Sequence, residues 1–158
     1  MKMIRIEKNG IFLEDYLEHL GTWNESFPDN AKDFASLPYH YDLSDRRCPH
    51  DSWLESVSIT ENGSGPRSSS RKTRIEARFL GSYHDGYFSL EYVNVAEFDI
   101  SLADSSENLS GGGRGDWIVD EMSLADNRLI SHEIVFSRRG AWYVLCEDII
   151  YSWVPLIN

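Results

Sequence analysis

The sequence predicts an α+β domain: a predominantly antiparallel, meander-like sheet of about seven strands with an N-terminal helical segment packed on it. Two observations carry this. Apolar residues recur at helical spacing only before residue 47, and from Trp53 onward they alternate with polar ones. A period of two marks a strand with one face buried and one solvated. At 158 residues, with 41% hydrophobic and 13% aromatic content, the chain suffices for one self-sufficient core. We read residues 1–158 as a single domain, with 1–47 helical and 48–158 sheet.

The elements follow in order. In "FLEDYLEHLG", Leu13, Tyr16, Leu17 and Leu20 fall at i, i+3, i+4 and i+7, and Gly21 stands where a helix C-cap would. "PDNAKDFA", residues 28–35, suits a second short helix with proline in its first turn, stopped by Pro38. "LPYHYDLSDRRCPHD" combines two prolines with turn formers and reads as an ordered connection. "WLESVSI" is expected to place Trp53, Val57 and Ile59 on one face. "KTRIEARFL" and "YFSLEYV" alternate Ile75, Ala77 and Phe79, then Phe88, Leu90 and Tyr92, with polar residues. "EFDISLA" turns Phe98, Ile100 and Leu102 inward, and "WIVDEMSL", "NRLISHEIVF" and "AWYVLCEDI" complete the series, the last two joined through "SRRG" as a hairpin. Two segments rich in Gly and Ser, residues 61–72 and 104–115, read as mobile loops. Neither has the Gly-Lys-Ser/Thr ending of a phosphate-binding loop.

Charge excludes some functions. With 15 basic against 26 acidic residues the net charge is −11, a field that repels nucleic acid and anionic lipid. From Tyr87 to Asn158 twelve acids face four arginines, whereas Trp53 to Gly86 holds five basic and four acidic residues. An acidic face that steers a basic partner is the reading we draw from this. The apolar run "IIYSWVPLI" is about half the length of a membrane span, the N-terminus lacks the apolar region of a signal peptide, and Cys48 and Cys146 form no Cys-x-x-Cys motif. A cytoplasmic location with reduced thiols is expected, with no cofactor, no nucleic acid and no membrane.

Histidines and carboxylates cluster at four places: His50-Asp51, His84-Asp85, Asp116 with Asp120 and Glu121, and His132-Glu133. Neighbours on a strand point to opposite faces, so no dipeptide can hold one metal through both side chains. A metal site would draw one member from each of several strands: His50, His84, His132 and Asp120. A hydrolase would add a nucleophile, for which Ser52, Ser82 and Cys48 are the neighbours in sequence. The competing structural reading places His132, in phase with Ile130, Ile134 and Phe136, in the core, bonded to a carboxylate or carbonyl. It has Asp51 and Asp85 accept backbone N–H groups in turns. Asp120 and Glu121, with Tyr87, Tyr143 and Tyr151 as aromatic anchors, form the candidate partner-binding set.

"HDSWLESVSI", "LGSYHDGYFSLEYVNV", "GDWIVDEMSL" and "SHEIVFSRRGAWYVLCEDIIYSWVPL" resemble a group of small uncharacterised bacterial proteins. These share a His-Asp-x-Trp-Leu opening, a later His-Asp-Gly turn, a Gly-Asp strand ending in Asp-Glu, and a His-Glu-Ile strand. The resemblance spans His50 to Leu156. In being small, acidic and cytoplasmic this group is similar to immunity proteins that neutralise antibacterial toxins. The resemblance therefore implies a protein-binding domain whose partner is a basic toxin domain. The alternatives are a metal-binding protein or hydrolase, and a structural protein that forms a homodimer through an exposed sheet edge.

Overall fold

A computed structural model describes residues 3–101, 113–138 and 140–156. Its α+β character is as expected, but the sheet is not one seven-stranded meander. Ten strands among the described residues divide into a two-stranded hairpin, β1 (Arg5–Glu7) with β2 (Gly10–Phe12), and two antiparallel sheets of four. The first sheet has the order β10-β5-β4-β3, from β3 (Trp53–Ser64), β4 (Ser70–Leu80), β5 (Gly86–Val93) and β10 (Asp148–Pro155). The second has the order β6-β9-β8-β7, from β6 (Glu97–Ile100), β7 (Trp117–Leu124), β8 (Ile130–Phe136) and β9 (Trp142–Cys146).

Two short corners divide the strands between sheets. The chain passes from β5 to β6 at Asn94, whose φ is +50°, and from β9 to β10 at the single residue Glu147. Asn94 Nδ2 donates to the Glu147 carboxylate, and the Glu147 amide donates to the Val93 carbonyl, so both strands of one ribbon bend together. Strands that switch sheets at such bends are how packed sheets make corners. At the opposite corner Trp53 bridges Asp116, and Asp51 and Ser52 exchange backbone hydrogen bonds with Trp117. These bonds cover the start of the β7 edge.

The helical segment holds α1 (Glu14–Trp23) and α2 (Asp29–Ala35). The first continues two residues past Gly21, because Gly21 faces open space and nothing there stops the helix. Tyr16 and Leu20 are buried as the spacing predicts, but Leu17 is exposed. Pro28 precedes α2 and Ala31, Phe34 and Ala35 bury its inner face. Its first turn is held from the sheet: the Ala31 amide, a helix N–H with no partner in the helix, and the Asn30 side-chain Nδ2 donate to the Asp148 carboxylate at 2.9 and 2.7 Å.

Period-two residues form the core as predicted. Ile75, Ala77 and Phe79 of β4 and Phe88, Leu90 and Tyr92 of β5 meet Ile130, Ile134 and Phe136 of β8 and Trp142 and Val144 of β9. Three expectations need correction. A β-bulge between Leu54 and Ser56 reverses the parity of β3, so Leu54, Val57 and Ile59 share the inner face while Trp53, opposite Leu80, lies on the outer one. Phe98 of β6 is exposed. Residues 61–72 are mostly ladder: Glu61 to Ser64 pair with Ser70 to Thr73, and only residues 65–69 turn. Gly63 allows this turn, since a Cβ there would stand 2.5 Å from Ser68 Cβ. Leu102 and most of residues 104–115 lie outside the described residues.

Candidate functional site

A closed polar centre lies between the sheets and the N-terminal segment, built on Asp120. The bulge at Ile118 and the pairing of Asp120 with Ile134 turn this carboxylate to the inner face of β7, where it is 2% exposed. His40 Nε2 stands 3.0 and 2.9 Å from its two oxygens, His132 Nε2 3.2 Å from Oδ2, and the Tyr41 hydroxyl donates to Oδ2 at 3.3 Å.

Partners fix the proton positions. Trp142 Nε1 donates to the Tyr92 hydroxyl at 3.0 Å, which leaves that hydroxyl to donate to His132 Nδ1 at 2.8 Å. With Nδ1 accepting from Tyr92, His132 donates its Nε2–H to Asp120. His40 differs, because its Nδ1 stands 3.0 Å from the Phe34 carbonyl and both its nitrogens face acceptors. A proton on each satisfies both contacts when Asp120 is ionised. Burial would raise the Asp120 carboxyl, but the charge of His40 and hydrogen bonds from His132 and His40 outweigh it and hold the group well below the usual carboxylate range. Tyr16 joins the centre by accepting from the Met122 amide at 2.8 Å and lying 3.0 Å from the Tyr41 hydroxyl. Burial first, and the Asp120 charge second, push the Tyr16 and Tyr41 hydroxyls upward, so both stay protonated donors.

The loop that brings His40 here is locked locally. Asp42 accepts the Ser44 amide at 3.0 Å, and Asp45 accepts the Arg47 amide and side chain at 2.9 and 2.7 Å. Hydrogen bonds from Arg47 bring Asp45 down to about 2. The His40 ring is stacked with Phe34 and Tyr41 at 4.3 and 4.1 Å. Sequence reasoning passed over His40, since a histidine in an irregular stretch carries no periodic signal. The tyrosines flanking it in "PYHYD" were the only hint.

A cleft of 220 Å³ beside this centre is lined by Ile11, Leu13, Leu43, Cys48 and His50 above His40 and Asp120. It offers no ready nucleophile. Burial pushes the Cys48 thiol up to about 11, and its Sγ donates to the His40 carbonyl at 3.2 Å. Ser52 is buried and donates to the Pro49 carbonyl.

The sequence-derived metal set does not assemble. Among the described residues no group of three or more His, Cys, Asp and Glu could hold a metal ion. His50 Nδ1 lies 2.7 Å from the Ile118 carbonyl, His84 lies over Trp53 at 5.0 Å, and only His132 meets Asp120. His132, fully buried, is the satisfied core histidine its phase suggested. Both His-Asp pairs close turns, with Asp51 and His84 at φ +61° and +53°. Asp85, however, pairs with Arg46 at 2.8 Å and Asp51 lies 3.4 Å from His50 Nε2.

The candidate partner set is also rearranged. Asp120 is internal, and Glu121, 4% exposed, accepts the Met3 and Ile4 amides at 2.9 and 3.1 Å, so neither carboxylate can present charge to a partner. Charged residues are rarely buried unless paired, which is why both read as surface acids. Tyr151 turns inward onto Phe34, with ring centroids 5.1 Å apart. Tyr87 and Tyr143 do lie on outer faces, half-buried.

Tyr87 belongs to a second candidate site. Across the outer face of the first sheet, Trp53 pairs with Leu80, Leu80 with Tyr87, and Tyr87 with Val154, giving one apolar row over four strands. Trp53 is 45% and Val154 60% exposed. The Arg78 guanidinium lies 3.8 Å from the Tyr87 ring centre and is held by Glu55 at 2.9 Å. Beside the row, exposed Tyr83 carries Arg46 at 5.0 Å. A shallow groove of 340 Å³ continues the face over Ser56, Ser89, Glu91 and Ile150. Trp, Tyr and Arg in this arrangement are the residues that dominate protein–protein contacts.

Comparison of the chain with family models, curated proteins and solved structures gives no match. No helix is long and apolar enough to cross a membrane among the described residues.

Proposed function

We propose that this chain is a protein-binding domain of immunity-protein character that captures a basic partner, such as a toxin domain, in a bacterial cytoplasm. The observation that carries the reading is the exposed Trp53–Leu80–Tyr87–Val154 row, flanked by arginines already fixed over aromatic rings. Aromatic anchors of this kind lose little side-chain entropy on binding. The net charge of −11 favours a basic partner and speeds its approach, while the row supplies contact area. The buried Asp120 centre serves as scaffold: its hydrogen bonds are satisfied internally and the neighbouring cleft presents no activated nucleophile, which weighs against the hydrolase reading.

The test is parallel capture from the native cell with the wild-type chain and with a Trp53→Ala/Tyr87→Ala double variant, at low and high salt, with retained proteins identified by mass. The reading expects a basic protein held by the wild type, released by salt and absent from the variant eluate. Identical eluates would remove the outer face from the account.

A further inference from the structure

The free edge of β3 has features of a self-association surface. Among the described residues β3 pairs only with β4, apart from the single bridge at Trp53, and every residue from Glu55 to Ser64 is exposed. Long open edges are usually guarded by charge, proline or extra bulges. This one is not guarded beyond Glu55. No proline or lysine stands between Ser56 and Ser64, and the carboxylates Glu55 and Glu61 are already engaged by Arg78 and Arg71 of β4 at 2.9 and 3.5 Å. Val57 and Ile59, on the inner face, are 38% and 47% exposed although their β4 partners Ala77 and Ile75 are buried.

We propose that two copies of this chain join β3 to β3 in antiparallel fashion, making one continuous eight-stranded sheet centred on Ser58. The register follows from chemistry. Centring on Ser58 sets Val57 opposite Ile59 of the second copy, twice over, whereas centring on Ile59 would set Val57 opposite Glu61. The same register brings the hairpin tip, with Arg67 and Lys72, toward the start of the other copy's β3, where Asp51 and Asp116 stand. This register also sets Glu55 opposite Glu61 of the second copy, but each of these carboxylates is already paired with an arginine of its own β4, and the tip, the basic part of an acidic chain, is drawn to the acidic corner in spite of the net charge of −11. A two-fold axis normal to the sheet keeps both outer faces on one side, and the inference stands whether or not that face binds the proposed partner.

The test uses mass and cross-linking together. Light scattering of the full chain, from micromolar to millimolar concentration, is expected to rise to twice the 18.2 kDa chain mass. Ile59→Lys, at an exposed position, is expected to hold the chain at the monomer mass with an unchanged circular dichroism spectrum, while Ile59→Val remains dimeric. Ser58→Cys places a thiol opposite its own copy, at the ~4.5–5.5 Å Cα separation of a strand pair, within disulfide reach. Under oxidised glutathione it is expected to give a cross-linked dimer. Thr60→Cys sets its two sulfurs about four residues, roughly 13 Å, apart along the strands and is expected not to cross-link. A wild type that stays monomeric throughout, an Ile59→Lys chain that still dimerises, or cross-linking at Thr60→Cys in preference to Ser58→Cys would each overturn the proposal.

Discussion

Replacing Asp120 by alanine tests the physical role of the buried centre. The carboxylate is the common acceptor for His40, His132 and Tyr41, so its removal strands three donors at a site that is 2% exposed. A buried ion pair broken at one end costs about 3–5 kcal/mol, and each orphaned neutral donor adds a share of the ~1–3 kcal/mol that an unmade buried hydrogen bond costs. These terms overlap, because the three donors share one acceptor. We therefore expect a total of about 3–5 kcal/mol. With a urea slope of about 2 kcal/mol/M, the denaturation midpoint should fall by about 1.5–2.5 M at unchanged slope. Asp120→Asn keeps one acceptor and should lose about 1–3 kcal/mol. Acid supplies a second readout. The Asp120 carboxyl lies below its unfolded value of about 3.9, so its contribution is fully present above that pH and is lost as pH falls through the depressed folded value. The stability gap between wild type and Asp120→Ala should hence narrow as pH drops below about 4. A midpoint shift under ~0.5 M, or a gap that widens in acid, would refute the reasoning.

Other perturbations probe other parts of the structure. His132→Ala leaves the Tyr92 hydroxyl and one Asp120 contact without their partner and should cost about 1–3 kcal/mol in the same titration. Gly86→Ala would drive a Cβ to 2.2 Å from the Trp153 ring, and a loss of about 1–3 kcal/mol is expected, since that indole packs against the core; a neutral result would mean the ring moves freely. Burial pushes the Cys48 and Cys146 thiols up to about 11 and about 12, so neither should react with a disulfide reagent in the folded chain near pH 8, and both should react once it is unfolded; a fast-reacting native thiol would contradict their placement. Trp53→Ala, at a half-exposed position, should change stability by under ~1 kcal/mol.

Much of the fold is visible in the alternation of single strands, and the rest depends on pairings that leave no local trace. Ile75-Ala77-Phe79, Phe88-Leu90-Tyr92 and Ile130-His132-Ile134-Phe136 each show their buried face in sequence, because a half-buried strand must alternate. The division into two sheets rests on the corners at Asn94 and Glu147, and one residue between two apolar runs looks like continuation, which is why β9 and β10 read as one strand. The β1–β2 hairpin turns at Lys8 and Asn9, between paired Glu7 and Gly10, and its three-residue strands are too short to show an alternation. The β3 bulge inverted the place of Trp53, since one inserted residue reverses every face beyond it. At the site, His132 was legible through its phase with isoleucines. Asp120 and Glu121 were not, because burial of adjacent carboxylates on opposite faces depends on His40 in a loop and on the backbone at Met3 and Ile4, neither of which any pattern in β7 announces.

The proposed division between a buried scaffold and an outer binding surface is tested most directly by one measurement: the affinity of a basic protein captured by the chain for wild type, Trp53→Ala/Tyr87→Ala and Asp120→Asn, by titration calorimetry at a temperature where all three are folded. Loss of about 30-fold or more for the outer-face variant, the ~2 kcal/mol of a contact hot spot, together with near wild-type affinity for Asp120→Asn, is the predicted result. Unchanged binding by the outer-face variant, with binding lost in folded Asp120→Asn, would contradict it.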